Sequence, residues 1–208
     1  MTAEAAFGMA QPAPDLLIAY GDDPLNFAQL RLPTGDGPHP VAIVIHGGCW
    51  LAEYDLGYMS GLSAALTQAG IATWSIEYRR VGDVGGGWPG TFGDVAAAAD
   101  HLRTIAGTYN LDLERVVAVG HSAGGHLALW LAARHSLAAD DDLRGERPLV
   151  LQAVVALAGI PDLAAYSAPT GCGAAVPELL GGQPDDVPDR LRRASPSELL
   201  PLGTPQVF

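Results

Sequence analysis

Lysine is absent from this chain of 208 residues; all 11 of its basic residues are arginines. That excludes a P-loop, a lysine Schiff base and a Ser–Lys dyad. Positive charge is scarce as well, with 11 basic against 23 acidic residues and a net charge of -12. Such a surface repels phosphate backbones and anionic bilayers, so neither nucleic acid nor a membrane is expected as a partner. Cysteine is limited to two residues, Cys49 and Cys172, which is too few for a disulfide framework and shows no metal-ligand spacing. Both are read as free thiols, and no metal site is expected. Long apolar runs are also missing. The uncharged stretch 56–76 is broken by Ser60, Ser63, Thr67, Gln68 and Gly70, so it reads as a helix, a turn and a strand rather than a membrane span. Met1–Pro14 has no basic residue and no sustained apolar run, so it does not read as a signal peptide. The default compartment is the cytoplasm.

What is present is apolar: 49% of residues are hydrophobic and 16% charged, with a mean hydropathy of +0.19. That is ample for a buried core and far from a disordered composition. The length fits one domain of roughly 100–200 residues. The expected division is a flexible tail over 1–14 and a single domain over 15–208.

Val41–Ile45 is a continuous β-branched run, as in a strand buried on both faces. Similar strands are expected at Ile71–Tyr78, Arg115–Gly120 and Leu149–Ala158, with a weaker one at Asn26–Leu32 and the start of another at Pro205–Phe208. Helical spacing appears in Tyr58–Ala69, stopped by Gly70, and in Thr91–Ala106, where Thr91 and Asp94 resemble a capping box. A third helix, Ser122–His135, reads as amphipathic. Strands alternating with helices predict an α/β fold, a doubly wound and mostly parallel sheet with helices on both faces.

The strongest chemical signal is Gly120-His121-Ser122-Ala123-Gly124 between an apolar strand and a helix. Small residues two positions either side of Ser122 let strand and helix approach closely. The serine then sits on a strained turn, with its hydroxyl above the sheet at a helix N-terminus that favours developing negative charge. Ser122 is the expected nucleophile. His46-Gly47-Gly48-Cys49-Trp50 follows the first central strand. Its glycines free backbone N–H groups to face a substrate oxygen, so Gly47, Gly48 and Ala123 are expected to form an oxyanion hole. Trp50 and Trp88 flank loops at the carboxyl ends of strands, where they either line the substrate pocket or pack.

These strings resemble the α/β-hydrolases of the esterase and arylformamidase type, a group that includes kynurenine formamidase, acetyl-xylan and carboxyl esterases, with the prolyl-oligopeptidase-like enzymes nearby. Glu77-Tyr78-Arg79, Trp88-Pro89-Gly90-Thr91, Asp94-Val95 and Gly125-His126-Leu127-Ala128 extend the match from about residue 40 to the end. The resemblance implies a serine hydrolase that cleaves a small ester or amide through an acyl-enzyme, with no cofactor. In that family the acid and then the histidine follow the nucleophile. None of the six histidines here, His39, His46, His101, His121, His126 and His135, lies beyond the nucleophile helix. The catalytic His is therefore expected to be absent, the domain to be truncated before its C-terminal strand–helix units, and activity to be weak. Asp162, after the fourth strand, is an alternative acid position, or else a helix cap. His46 and His121 are expected to orient backbone, and Glu77 to pair with a nearby arginine. Asp140–Asp142 reads as a solvated loop, and Arg190, Arg192 and Arg193 as a surface helix. An uncovered sheet edge favours a homo-oligomer. Two competing readings are a non-catalytic binding or assembly module and a prolyl-oligopeptidase-like peptidase.

Overall fold

In the computed structural model, which describes residues 12–208, the apolar runs become a single sheet. Its strands are β1 (Leu16–Ala19), β2 (Phe27–Arg31), β3 (His39–Ile45), β4 (Ala72–Ile76), β5 (Leu111–His121), β6 (Ala153–Leu157) and β7 (Gln206–Val207). The spatial order is β1-β2-β4-β3-β5-β6-β7. β1, β2 and β4 pair antiparallel, and every pair from β4 to β7 is parallel. The tail expected over 1–14 lies, through residue 11, outside the described residues.

Three helices connect the central strands: α1 (Ser60–Gln68), α2 (Gly90–Tyr109) and α3 (Ala123–Ala133). The chain steps from β3 outward to β4, then back across β3 to β5 and on to β6. Parallel crossovers are right-handed, so this reversal puts α1 on one face and α2 and α3 on the other. The two apolar clusters follow from it. The α1 face holds a small one, built on Ala42, Val44, Met59 and Val119. The α2–α3 face holds the main core, including Trp50, Trp74, Phe92, Leu102, Leu127 and Trp130. The reversal also makes the carboxyl ends of β3 and β5 a topological switch point, where open α/β sheets bind ligands.

Several expectations change. β1 was too short to read from its pattern. β6 covers only Ala153–Leu157, half of the apolar run, and its register on β5 starts at Val117 opposite Ala153. The helix after Ser122 is not amphipathic: every residue of α3 is buried. Such a helix is apolar all round because it is covered all round. After β6 come α4 (Leu163–Tyr166), α5 (Val176–Leu180) and α6 (Pro188–Ala194); α6 and the 3₁₀ turn Pro196–Leu199 close the outer side of α3, where the Trp130 indole donates to Arg193 O at 2.8 Å. Thr91 does not cap α2. Its hydroxyl donates to Arg79 O and accepts from Gly87 N, while Asp94 takes the Arg79 backbone N–H and guanidinium. Asp141 is not in a solvated loop either; it is almost buried in an ion pair with Arg193.

Candidate active site

β5 ends at His121, and α3 begins one residue after Ser122. The turn between them forces Ser122 to φ 54°, ψ -118°, a region sparsely populated by residues with a side chain. Such a conformation costs about 1–3 kcal/mol and persists only where its surroundings fix it. Here Ser122 N donates to Leu157 O at 2.8 Å, and Ser122 O accepts from His126 N at 3.0 Å. Close approach requires the flanking glycines. A Cβ on Gly120 would strike Gly124 O, and one on Gly124 would strike Ile45 O and His46 O. Strand β5, helix α3 and the end of β3 thus meet backbone to backbone, with the serine half-exposed above them.

The loop after β3 faces it. Gly48, Cys49 and Trp50 take φ of 106°, 53° and 59°, three left-handed residues in succession. Only the first is a glycine, so the other two need anchors. His46 is fully buried, with Nε2 2.8 Å from Glu77 Oε1 and Nδ1 2.8 Å from Gly47 O, and its ring stacks on Tyr78. Glu77 is buried too; it accepts from Leu56 N and Tyr78 N and pairs with Arg80, the expected ion pair. The Trp50 indole donates to His126 Nδ1 at 3.1 Å, and His126 Nε2 donates to Ala194 O at 3.0 Å. Burial pushes the His126 imidazole down to about 4, against that hydrogen bond to Ala194, so it stays neutral.

Cys49 is bonded to Cys172, in the 3₁₀ turn Gly171–Ala175, with the two Cα atoms 5.0 Å apart. This overturns the reading of free thiols. No spacing rule could pair residues 123 positions apart; the fold of the segment after β6 brings them together.

Of the expected oxyanion donors, the Gly48 and Ala123 N–H groups make no hydrogen bond among the described residues. Ala123 opens α3, where N–H groups have no carbonyl a turn behind them. The Gly47 N–H corrects the expectation. It is already given to Tyr58 Oη at 2.5 Å. Tyr58 also lies 3.2 Å from His121 Nδ1, so His121 holds a side chain rather than backbone. No local pattern marks Tyr58, which lies 11 residues beyond Gly47.

The remaining candidates separate. Trp50 is fully buried and packs in the core instead of lining a substrate pocket. Trp88 stands 5.4 Å from Phe92 beneath the Arg193 guanidinium, beside a surface depression it shares with Arg79, Asp94 and Leu143. Asp162 caps α4 (Leu163–Tyr166), accepting from Ala165 N at 3.0 Å. Among the described residues no histidine bonds to Asp162 or to Ser122 Oγ, and no cluster of ligands could hold a metal ion. No helix is long and apolar enough to cross a membrane, again among the described residues.

The BD-FAE family model matches residues 29–208. A relative from Oryza sativa subsp. japonica, named as a probable isoprenylcysteine alpha-carbonyl methylesterase, is 34% identical over 117 residues, 53% of this chain and 26% of its own. Isoprenylcysteine alpha-carbonyl methylesterase ICME of Arabidopsis thaliana is 29% identical over 134 residues, 62% of this chain and 29% of its own. The chain thus spans between 26% and 29% of the length of these curated relatives. Among solved structures, a truncated form of a carbohydrate esterase from gut microbiota has a TM-score of 0.74 at 26% identity, covering 92% of this chain and 73% of that one. Esterase B from Lactobacillus rhamnosis shares the fold with a TM-score of 0.76 at 21% identity, covering 97% of this chain and 67% of its own.

Proposed function

The chain belongs to the BD-FAE family, and from that membership and the geometry at β5 we propose that it is a carboxylic-ester hydrolase acting through Ser122. One observation carries the reading: a serine at φ 54° capping a buried helix, across from a loop of left-handed residues whose Gly48 N–H takes no partner among the described residues. In the reaction Ser122 Oγ bonds to the ester carbonyl carbon, and the carbonyl electron pair moves onto oxygen. The alcohol then leaves with a proton, and water releases the acid from the acyl-serine. The substrate class is a small carboxylic ester, with an aryl formamide as the amide counterpart. No cofactor has a part in these steps.

No described residue stands as general base to Ser122. The hydrolysis expected from these 208 residues is accordingly the remainder that an oxyanion site sustains without a complete triad, about 10³–10⁴-fold over water. The test pairs the chain with Ser122→Ala. p-Nitrophenyl acetate hydrolysis is followed against buffer, and fluorophosphonate uptake is read by intact mass. The parent chain should take one label, on Ser122, and Ser122→Ala none. Equal labelling of both sinks the assignment and leaves a binding module as the better reading. N-formylaniline offered beside the ester distinguishes the formamide branch.

A further inference from the structure

Tyr58 is a polar side chain at this site that the sequence did not single out, and it takes the Gly47 N–H that was expected to face an oxyanion. Its ring lies on the 3₁₀ turn Leu56–Met59, which Asp55 caps by accepting from Gly57 N at 2.8 Å. Glu77 fixes the same turn through Leu56 N. The ring meets His121 edge-on, with centroids 5.9 Å apart. A Cβ built on Gly47 would lie 2.9 Å from Tyr58 Oη and 3.2 Å from Ser122 Cβ. The phenol oxygen and the nucleophile's side chain therefore border the same small space. Tyr58 Oη accepts the Gly47 N–H. A hydroxyl that accepts a hydrogen bond becomes the better donor through its own proton.

We propose that the Tyr58 hydroxyl, and not the Gly47 N–H, donates to the substrate oxyanion beside the N–H groups of Gly48 and Ala123. The Gly47 N–H acts through it, polarising and aiming the phenol. In the resting site the proton faces His121 Nδ1, and an oxyanion forming over Ser122 draws it away. Burial pushes the phenol up to about 12, against the Gly47 hydrogen bond, so Tyr58 keeps its proton at any pH where an ester is assayed. This inference rests on the esterase reading but is separable from it, because an oxyanion site accelerates attack by water even where the serine does not react.

Tyr58→Phe gives opposite signs for the two arrangements. Removing the hydroxyl releases the Gly47 N–H. If three backbone donors made the hole, p-nitrophenyl acetate hydrolysis would hold or rise. If Tyr58 donates, kcat falls about 10²-fold, the loss typical of one oxyanion donor, with KM unchanged. A second substitution keeps the ring in place: fluorotyrosine at position 58 moves phenol ionisation toward neutrality. It should add a descending limb to the pH–rate profile at a pH where the parent is flat, which a tyrosine that merely props Gly47 would not do. A Tyr58→Phe rate equal to or above the parent's, or a fluorotyrosine profile like the parent's, overturns the proposal. A parent no faster than buffer overturns it too. Ser122→Ala equal to the parent, with Tyr58→Phe slower, leaves the Tyr58 donor standing and removes the nucleophile instead.

Discussion

On the β3 side of Ser122 the loop is anchored at several residues. His46 is wedged between Glu77 and Gly47 O, Cys49 is bonded to Cys172, and Trp50 is tied through His126 to the chain end of α6. On the β6 side there is little of this. β6 is five residues long and β7 two, Leu157 is 41% exposed, and Val117 and Val155 are only half covered. Asp162, the acidic residue on this side, is engaged by its own helix. The difference follows from what each side does in the proposed reaction. An oxyanion loop with Cys49 and Trp50 at positive φ stores strain, and strain persists only where the surroundings over-determine it. The β6 side meets Ser122 at one point, the Ser122 N–H on Leu157 O.

Cutting the disulfide should give the largest effect on the first side. It closes a loop of 123 residues, and chain entropy alone gives about 4–5 kcal/mol for a loop of that order, less any strain in the native state. Cys49→Ser with Cys172→Ser, or added dithiothreitol, should lower the guanidinium midpoint accordingly. Thiol titration of the unfolded protein should find none before reduction and two after. Because disulfides persist in oxidising compartments and are rare in the cytosol, this pairing stands against the cytoplasmic expectation. Two titratable thiols in air-purified protein would erase much of the contrast between the two sides.

The second break is chemical. His126 is neutral when folded, near 4 against an ordinary 6.5, so between those values the unfolded chain binds the extra proton. Stability then rises with pH across that window: the contribution is whole above about 6.5 and lost as pH falls to about 4, roughly 3 kcal/mol in all. Urea unfolding at stepped pH should show this slope, and His126→Gln should flatten it. Protonation also strips Trp50 of its acceptor, so indole fluorescence should change in the same window before global unfolding. A parent whose slope matches His126→Gln would mean that the bond from Trp50 is not what holds the loop.

The sequence carried the alternation of strands and helices and the sharp turn at Ser122 because both rest on local spacing. The β-branched run into Gly120, the small residues around Ser122 and the His46-Gly47-Gly48 break are each legible within ten residues. What it did not carry was contact between distant segments. Cys172 reaches Cys49 only after the segment following β6 folds back. Tyr58 reaches Gly47 only because Asp55 and Glu77 position one turn, and α3 looks amphipathic until α6 closes over it. Trp50 shows the limit most plainly. Beside a Gly-Gly loop it reads equally as pocket or core, and only the buried imidazole that accepts its N–H decides for core.

The smallest effect is expected at β7. Val207 is 58% exposed and pairs with Val155 in a ladder of two residue pairs, so a substitution there removes little buried area. Val207→Asp should change the unfolding midpoint by no more than about 0.5 kcal/mol, the range for surface positions without special contacts. Its effect on association is the more telling measurement. A parallel edge strand with no outer partner among the described residues, its exposed Val207 followed by exposed Phe208, is a template for another chain, and a charge on that edge blocks pairing. Sedimentation of the parent should show association that rises with concentration, and Val207→Asp should sediment as a monomer. If Val207→Asp instead unfolds the protein by several kcal/mol, β7 is part of the core, and the contrast between a fixed β3 side and an open β6 side fails at its weaker end.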